Sequence, residues 1–248
     1  MLPWDVDDLT FDETRFRGKV RLFPLPNLVM YPHVMQPLNI FEPRYLELLN
    51  EALDSDGLIA MSVLNPGKKM WPTQKTIGHM GPQSTDRPEV LPHACLGKVV
   101  THQRKENGQY NILVLGMRRV TIHTELPPER SFRQAEVNLL DDFCRPENDT
   151  DRADLQAALT QRFQECLPEE QSAHPALSEM LSTEIPLSVL TDLVSFAMPF
   201  NIETKCELLR ENDVDRRAWI LLEAMDRLPN PEPQQGSQSG YLPPFSEN

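Results

Sequence analysis

Val99-Val100-Thr101-His102-Gln103-Arg104-Lys105-Glu106-Asn107-Gly108-Gln109-Tyr110-Asn111-Ile112-Leu113-Val114-Leu115 is two β-prone runs joined by an Asn-Gly pair. Asn-Gly readily supplies the two positive φ angles of a type I′ turn, so the stretch predicts a β-hairpin. Reading outward, Ala94 to Val100 supplies the first arm. Past the second, Gly116 marks a bulge or bend before Arg119-Val120-Thr121-Ile122-His123 resumes the strand pattern. Ala135, Val137 and Leu139 alternate with Gln134, Glu136 and Asn138 to give a last strand.

Upstream, Lys19-Val20-Arg21-Leu22-Phe23 alternates as a half-buried strand does. Proline-bounded apolar runs follow at Leu28–Tyr31 and Val34–Ile40. Glu42-Pro43-Arg44 then opens a helix, since a proline in the first turn gives up no needed N–H. Its apolar face is Tyr45, Leu46, Leu48, Leu49 and Leu53, and Leu58–Leu64 reads as a short buried strand. Residues 65–92 hold five prolines and little periodicity, which predicts a long surface loop.

Beyond residue 148 the apolar period changes from two to about 3.6. Leu155, Leu159, Phe163 and Cys166 share a helical face after a cap drawn from Asn148 to Asp151. Pro175 and Pro186 read as first-turn prolines, the second leading Leu187, Leu190, Leu193 and Val194 into a helix that Pro199 stops. Asn201 caps Ile202–Arg210, and Asp213 caps a last helix with Val214, Leu221, Met225 and Leu228 inward. The residues therefore predict a β-rich domain followed by a helical bundle. The expected boundaries are an extension at 1–18, the β domain at 19–145, the helical part at 146–228 and a disordered tail at 229–248.

Charge divides at nearly the same place. Residues 1–140 carry 16 basic and 16 acidic side chains, whereas 141–248 carry 8 and 21, the whole of the net −13. Carboxylates on the helices read as solvated faces. With no basic stripe, nucleic-acid binding is a poor expectation. No stretch approaches the ~18 apolar residues of a membrane span. The acidic start Met1–Asp8 lacks the basic lead-in of an export signal. The expected location is cytoplasmic, with Cys95, Cys144, Cys166 and Cys206 as reduced thiols.

Catalytic patterns are missing. Gly67-Lys68-Lys69 lacks the rest of a phosphate-binding loop. Gly236-Ser237-Gln238-Ser239-Gly240 has its serine misplaced for a nucleophile elbow and follows no strand. His79, His93 and Cys95 could converge on a metal only if the long loop folded back, so no metal, cofactor or catalytic residue is expected.

One family resemblance is carried by several stretches in order. Leu22-Phe23-Pro24-Leu25, followed by an apolar run and Pro37-Leu38-Asn39-Ile40-Phe41-Glu42-Pro43-Arg44-Tyr45, resembles the opening of the Lon protease N-terminal domain. Ala94–Val99, Gly108–Val120 and the segment containing Leu193, Pro199, Lys205, Leu208 and Leu209 resemble that family's later motifs. The resemblance implies an α+β fold, a PUA-like pseudo-barrel of the Lon N-terminal type followed by an α-helical bundle. It further implies a stand-alone module lacking the AAA+ and protease domains. Such a module would bind a polypeptide or protein partner without catalysis, in protein quality control or as an adaptor. Met70, Trp71 and Met80 in the long loop are the candidate polypeptide-binding residues, since exposed Met and Trp adapt to varied apolar partners. The competing readings are a small-ligand-binding or hydrolytic enzyme on the same barrel and, behind it, RNA binding.

Overall fold

A computed structural model describes residues 11–65, 88–146, 151–167 and 185–228. Six strands and five helices are defined among them. They are β1 (Lys19–Leu25), β2 (Met35–Ile40), α1 (Pro43–Leu53), β3 (Leu58–Leu64), β4 (Val90–Arg104), β5 (Tyr110–Glu125) and β6 (Arg133–Leu140), then α2 (Arg152–Cys166), α3 (Leu187–Ala197), α4 (Ile202–Arg210) and α5 (Val214–Asp226). The expected helix after Pro175, most of the long loop and the tail lie outside the described residues.

The strand order is β2-β5-β4-β3-β1-β6, and β5 also pairs with β6, so five strands close into a barrel with β2 attached outside the ring. Closure depends on the length of β5. Its first half pairs with β2 and its second half with β6, from Arg119↔Leu140 to Glu125↔Ala135. Only β1 and β3 run parallel, joined by the crossover that contains β2 and α1. The strand period of two sorts their residues. Val20, Leu22, Ala60, Ala94, Leu96, Val120, Ala135 and Val137 fill the barrel. Three of these eight are alanine, as a five-stranded interior leaves little room. The alternate residues, among them Phe23, Leu25, Ile59, Met61, Val63 and Cys95, face outward into a second core completed by α1 and the later helices. Both faces of β3, and of β1 from Leu22 onward, are thus buried, which accounts for the nearly unbroken apolar sequence of β3 and the end of alternation in β1 after Arg21.

Two sequence expectations shift locally. Strand β4 begins at Val90 rather than near Ala94, because Leu64↔Val90 and the Asn65 N–H to Glu89 carbonyl bond (2.7 Å) extend the β3–β4 ladder beyond a bulge. The Asn107-Gly108 turn is not type I′. Of the two, only Gly108 has positive φ (82°). Its N–H donates to Lys105 O (3.0 Å) while Lys105 N–H donates to Gln109 O (2.7 Å), a type I turn closed by a glycine bulge. Asn107 instead accepts from Gln109 N–H through its side chain (3.2 Å).

Capping follows the sequence in α4 and α5, where Asn201 accepts from Thr204 N–H (2.8 Å) and Asp213 from Arg216 N–H (3.1 Å). Asp151 stands at the N-cap of α2 without a side-chain capping bond. Asn201→Ala should cost about 1 kcal/mol in urea-unfolding free energy. An unchanged midpoint would show that tertiary contacts alone hold the start of α4.

The helical carboxylates are not all solvated. Asp192, Asp213 and Asp215 are buried and pair with Arg119, Arg145 and Arg152. Asp192 on α3 is the centre of a network joining barrel to helices. Arg119 of β5 grips both its oxygens, His33 Nδ1 lies 3.0 Å from Oδ2, and Arg119 Nε also donates to Leu209 O (3.1 Å). Beside it, buried Arg217 of α5 donates to both oxygens of Asp142 (2.9 and 2.8 Å) and to Thr191 Oγ1 (2.9 Å). Burial alone would raise the Asp192 carboxyl. Arg119, the His33 hydrogen bond and Arg217 outweigh it and hold that group below the usual carboxylate range.

Candidate functional site

At one end of the barrel an open cleft of about 400 Å³ is walled by the end of β1, the start of α1, the last residue of β3 and the β5–β6 connection. Local sequence positions each wall. Pro24 and Leu64 fall at alternation positions that face the barrel interior, as does Arg133 of β6, so the cleft is the barrel's mouth. Pro43 starts α1 immediately after Glu42, which brings Glu42, Arg44 and Tyr45 to the rim. Tyr45 stacks on Phe23 with ring centres 4.2 Å apart and donates its hydroxyl to Pro24 O (3.2 Å). Burial raises its pKa, against the opposing pull of the Arg44 guanidinium 4.7 Å above its ring. Buried Phe132 and Leu25 complete an apolar lining.

The charged groups of the rim are held in pairs. Arg44 Nε donates to Glu42 (2.8 Å), Arg133 Nε donates to Glu125 (2.8 Å) and Arg133 Nη1 donates to Pro88 O (2.8 Å). Ser131 donates to the Glu47 carboxylate. What remains for a ligand is apolar surface bordered by hydrogen-bonding groups, suited to holding side chains.

The candidates Met70, Trp71 and Met80 lie outside the described residues, between Leu64 and Pro88, which both line the cleft. Of the possible metal ligands, His79 also lies outside. Burial, with Arg210 nearby, lowers the pKa of His93 to about 4, and burial pushes the Cys95 thiol up inside the outer core. Among the described residues no group of three or more His, Cys, Asp or Glu is placed to hold a metal ion. Tyr45, Phe132 and Arg133 were not singled out as site residues by sequence reasoning. Their usable signal was the Phe41-Glu42-Pro43-Arg44-Tyr45 helix start, whereas Phe132 joins only through the closure of β6 onto β1.

Residues 19–227 match the family described as the ATP-dependent protease La (LON) substrate-binding domain. The chain belongs to that family. Lon protease 1 of Bdellovibrio bacteriovorus is 27% identical over 213 residues, covering 85% of this chain and 25% of that protein. The Lon protease of Brevibacillus choshinensis is 22% identical over 207 residues, covering 83% and 24%. The chain therefore spans about a quarter of the length of these Lon proteases. In fold it is similar to the N-terminal domain of a Mycobacterium avium complex Lon protease, with TM-score 0.61, 16% identity and coverage of 84% and 98%. A Lon N-terminal domain protein from Xanthomonas campestris gives TM-score 0.54 at 18% identity, covering 83% and 97%. These likenesses give the LON substrate-binding family the α+β architecture implied by the motifs. Glu42, Arg44 and Tyr45, from the stretch that carries much of the resemblance, form one wall of the cleft.

Proposed function

We propose that this LON substrate-binding domain is a non-catalytic module that binds polypeptide segments at the barrel mouth, in protein quality control or as an adaptor. The cleft carries the reading, since its lining is apolar and its rim charges already neutralise one another. Met70, Trp71 and Met80 extend the contact from the segment between Leu64 and Pro88. The cytoplasm is the compartment proposed. Among the described residues no helix is long and apolar enough to cross a membrane.

The test is titration of a labelled, permanently unfolded polypeptide against the purified chain. Ser131→Trp fills the mouth from its surface and should weaken binding at least roughly tenfold, with Trp71→Ala weakening it less. Unchanged affinity in Ser131→Trp removes the cleft from the reading. ATP or peptide hydrolysis by the pure protein would overturn the non-catalytic assignment.

A further inference from the structure

The cleft opens one end of the barrel, and chain that precedes β1 closes the other. Val20, Leu22 and Pro24 alternate inward along β1, so Lys19 at the start of the strand lies at the end away from the mouth. There Phe11 and Phe16 pack against the interior cluster, as does Leu58 at the start of β3, and their rings meet edge to face at 5.4 Å. Arg118 stands on the inward side of β5, opposite Leu96 and two residues before Val120. A guanidinium in that place needs anions, and it pairs with Glu13 and Asp141 while lying over the Phe11 ring at 6.0 Å. Two rings and one carboxylate from residues 11–16 thus plug this end. The plug is weakly tied. Its backbone bonds are internal, Arg15 N–H to Asp12 O and Phe16 N–H to Glu13 O (both 3.2 Å), and Asp12 accepts from Thr14 N–H (3.0 Å) to hold the turn. Among the described residues, the first backbone bond onto the barrel is Val137 N–H to Gly18 O (2.7 Å), where Gly18 at φ 73° supplies a hinge. Both rings are only half-buried, and the Glu13 side chain is 50% exposed, so its pairing with Arg118 adds little. Arg118 keeps Asp141 as a partner when Glu13 leaves.

We propose that residues 11–16 are an autoinhibitory plug over a docking site at this end of the barrel, which takes a segment of a partner protein carrying two aromatic side chains with a carboxylate between them. The occupant in cis defines what fits. Its rings cover the interior residues, its anion meets Arg118, and its turn sets their spacing. A small aromatic acid supplies one ring and the anion without the second ring or the turn, so a polypeptide segment is the better complement. Tethering sets the competition. A segment joined to its site through a few residues is present at about millimolar effective concentration. It therefore excludes a partner that binds comparably and yields to one that binds more tightly. The site lies at the opposite end from the mouth, and the inference does not depend on polypeptide binding there.

The test uses the full chain and a fluorescein-labelled peptide copy of residues 11–16, titrated by fluorescence anisotropy. Glu13→Lys sets like charge against Arg118 and opens the plug from its exposed side. It should bind the peptide at least roughly tenfold more tightly than the parent does. Phe11→Ser with Phe16→Ser should do the same, and Glu13→Lys keeps the proposal open to refutation if that double variant misfolds. Adding Arg118→Gln to Glu13→Lys should abolish the gain, whereas adding Ser131→Trp at the mouth should leave it intact. A peptide with glutamine in place of its glutamate should bind weakly. Equal affinity in the parent and in Glu13→Lys would overturn the plug, and equal affinity for the glutamine peptide would overturn the stated chemistry of the partner. Full competition by 3-phenylpropionate would assign the site to small aromatic acids and overturn the polypeptide partner. A parent dimer that becomes a monomer in the double variant would place the plug in a second copy and overturn the contact in cis.

Discussion

Asp192→Ala should lower the unfolding free energy by about 3–5 kcal/mol, the loss that follows removal of one partner from a buried ion pair. Asp192 has no exposed side-chain surface, and Arg119 is 2% exposed. Once the carboxylate is gone, Arg119 keeps only its longer contact to Asp142 (3.4 Å) and its bond to Leu209 O, and His33 loses its anchor. A stability of ~5–15 kcal/mol is usual for a protein, so the variant will be marginal. Urea unfolding followed by circular dichroism measures the loss, and a change below about 1 kcal/mol would refute this account of the network. Arg119→Met combined with Asp192→Leu should recover much of it, because removing both charges removes the penalty for burying one.

The same group fixes a pH response. Its folded pKa is depressed, so the unfolded chain binds the proton more readily, and stability contributed by Asp192 is complete above about pH 4. That contribution is lost as pH falls through the lowered folded value. Asp192→Asn should therefore show a flatter decline of stability below about pH 4 than the parent. Parallel curves would place the acid sensitivity elsewhere.

Gly116→Ala should destabilise by roughly 3 kcal/mol through overpacking and strained backbone hydrogen bonds. A Cβ at this position would sit 1.9 Å from the Tyr31 carbonyl oxygen, and backbone cannot swing aside as a side-chain end can. Two bonds tie the segments here, His33 N–H to Gly116 O and Gly116 N–H to Val34 O, both 2.9 Å. They also hold His33 at φ 64°, a left-handed conformation that a non-glycine residue adopts only where its surroundings enforce it. The substitution should shift the His33 ring resonances in NMR as well as the melting temperature. A folded variant with both unchanged would show that the Tyr31–Val34 segment can yield.

Much of the secondary structure was legible because it rests on local rules. Leu58–Leu64 and Ile202–Arg210 fall where apolar period and caps place them, and Pro43 opens α1. Gly116 announced an irregularity, and the β4–β5 ladder shifts register beside it. The Asn-Gly turn was mistyped because its dipeptide fixes a bend but not the number of residues in the loop. The buried role of Asp192 was illegible. A carboxylate on a helix carries the same local signal whether it faces water or a guanidinium 73 residues away in the chain. The cleft was half legible, since Glu42, Arg44 and Tyr45 stand in one motif while Phe132 and Arg133 arrive through strand pairing.

The sequence by itself determined the order and type of these elements, because alternation, capping and proline placement act over a few residues, and its ordered motifs carried the resemblance to the family. Only the tertiary structure decided that β5 is long enough to serve two partners and close the barrel. It also decided that an excess of acidic side chains in the helical half is partly internal, neutralised by arginines from distant segments. Ring closure and charge pairing are contacts between residues far apart in the chain, and no local pattern records them.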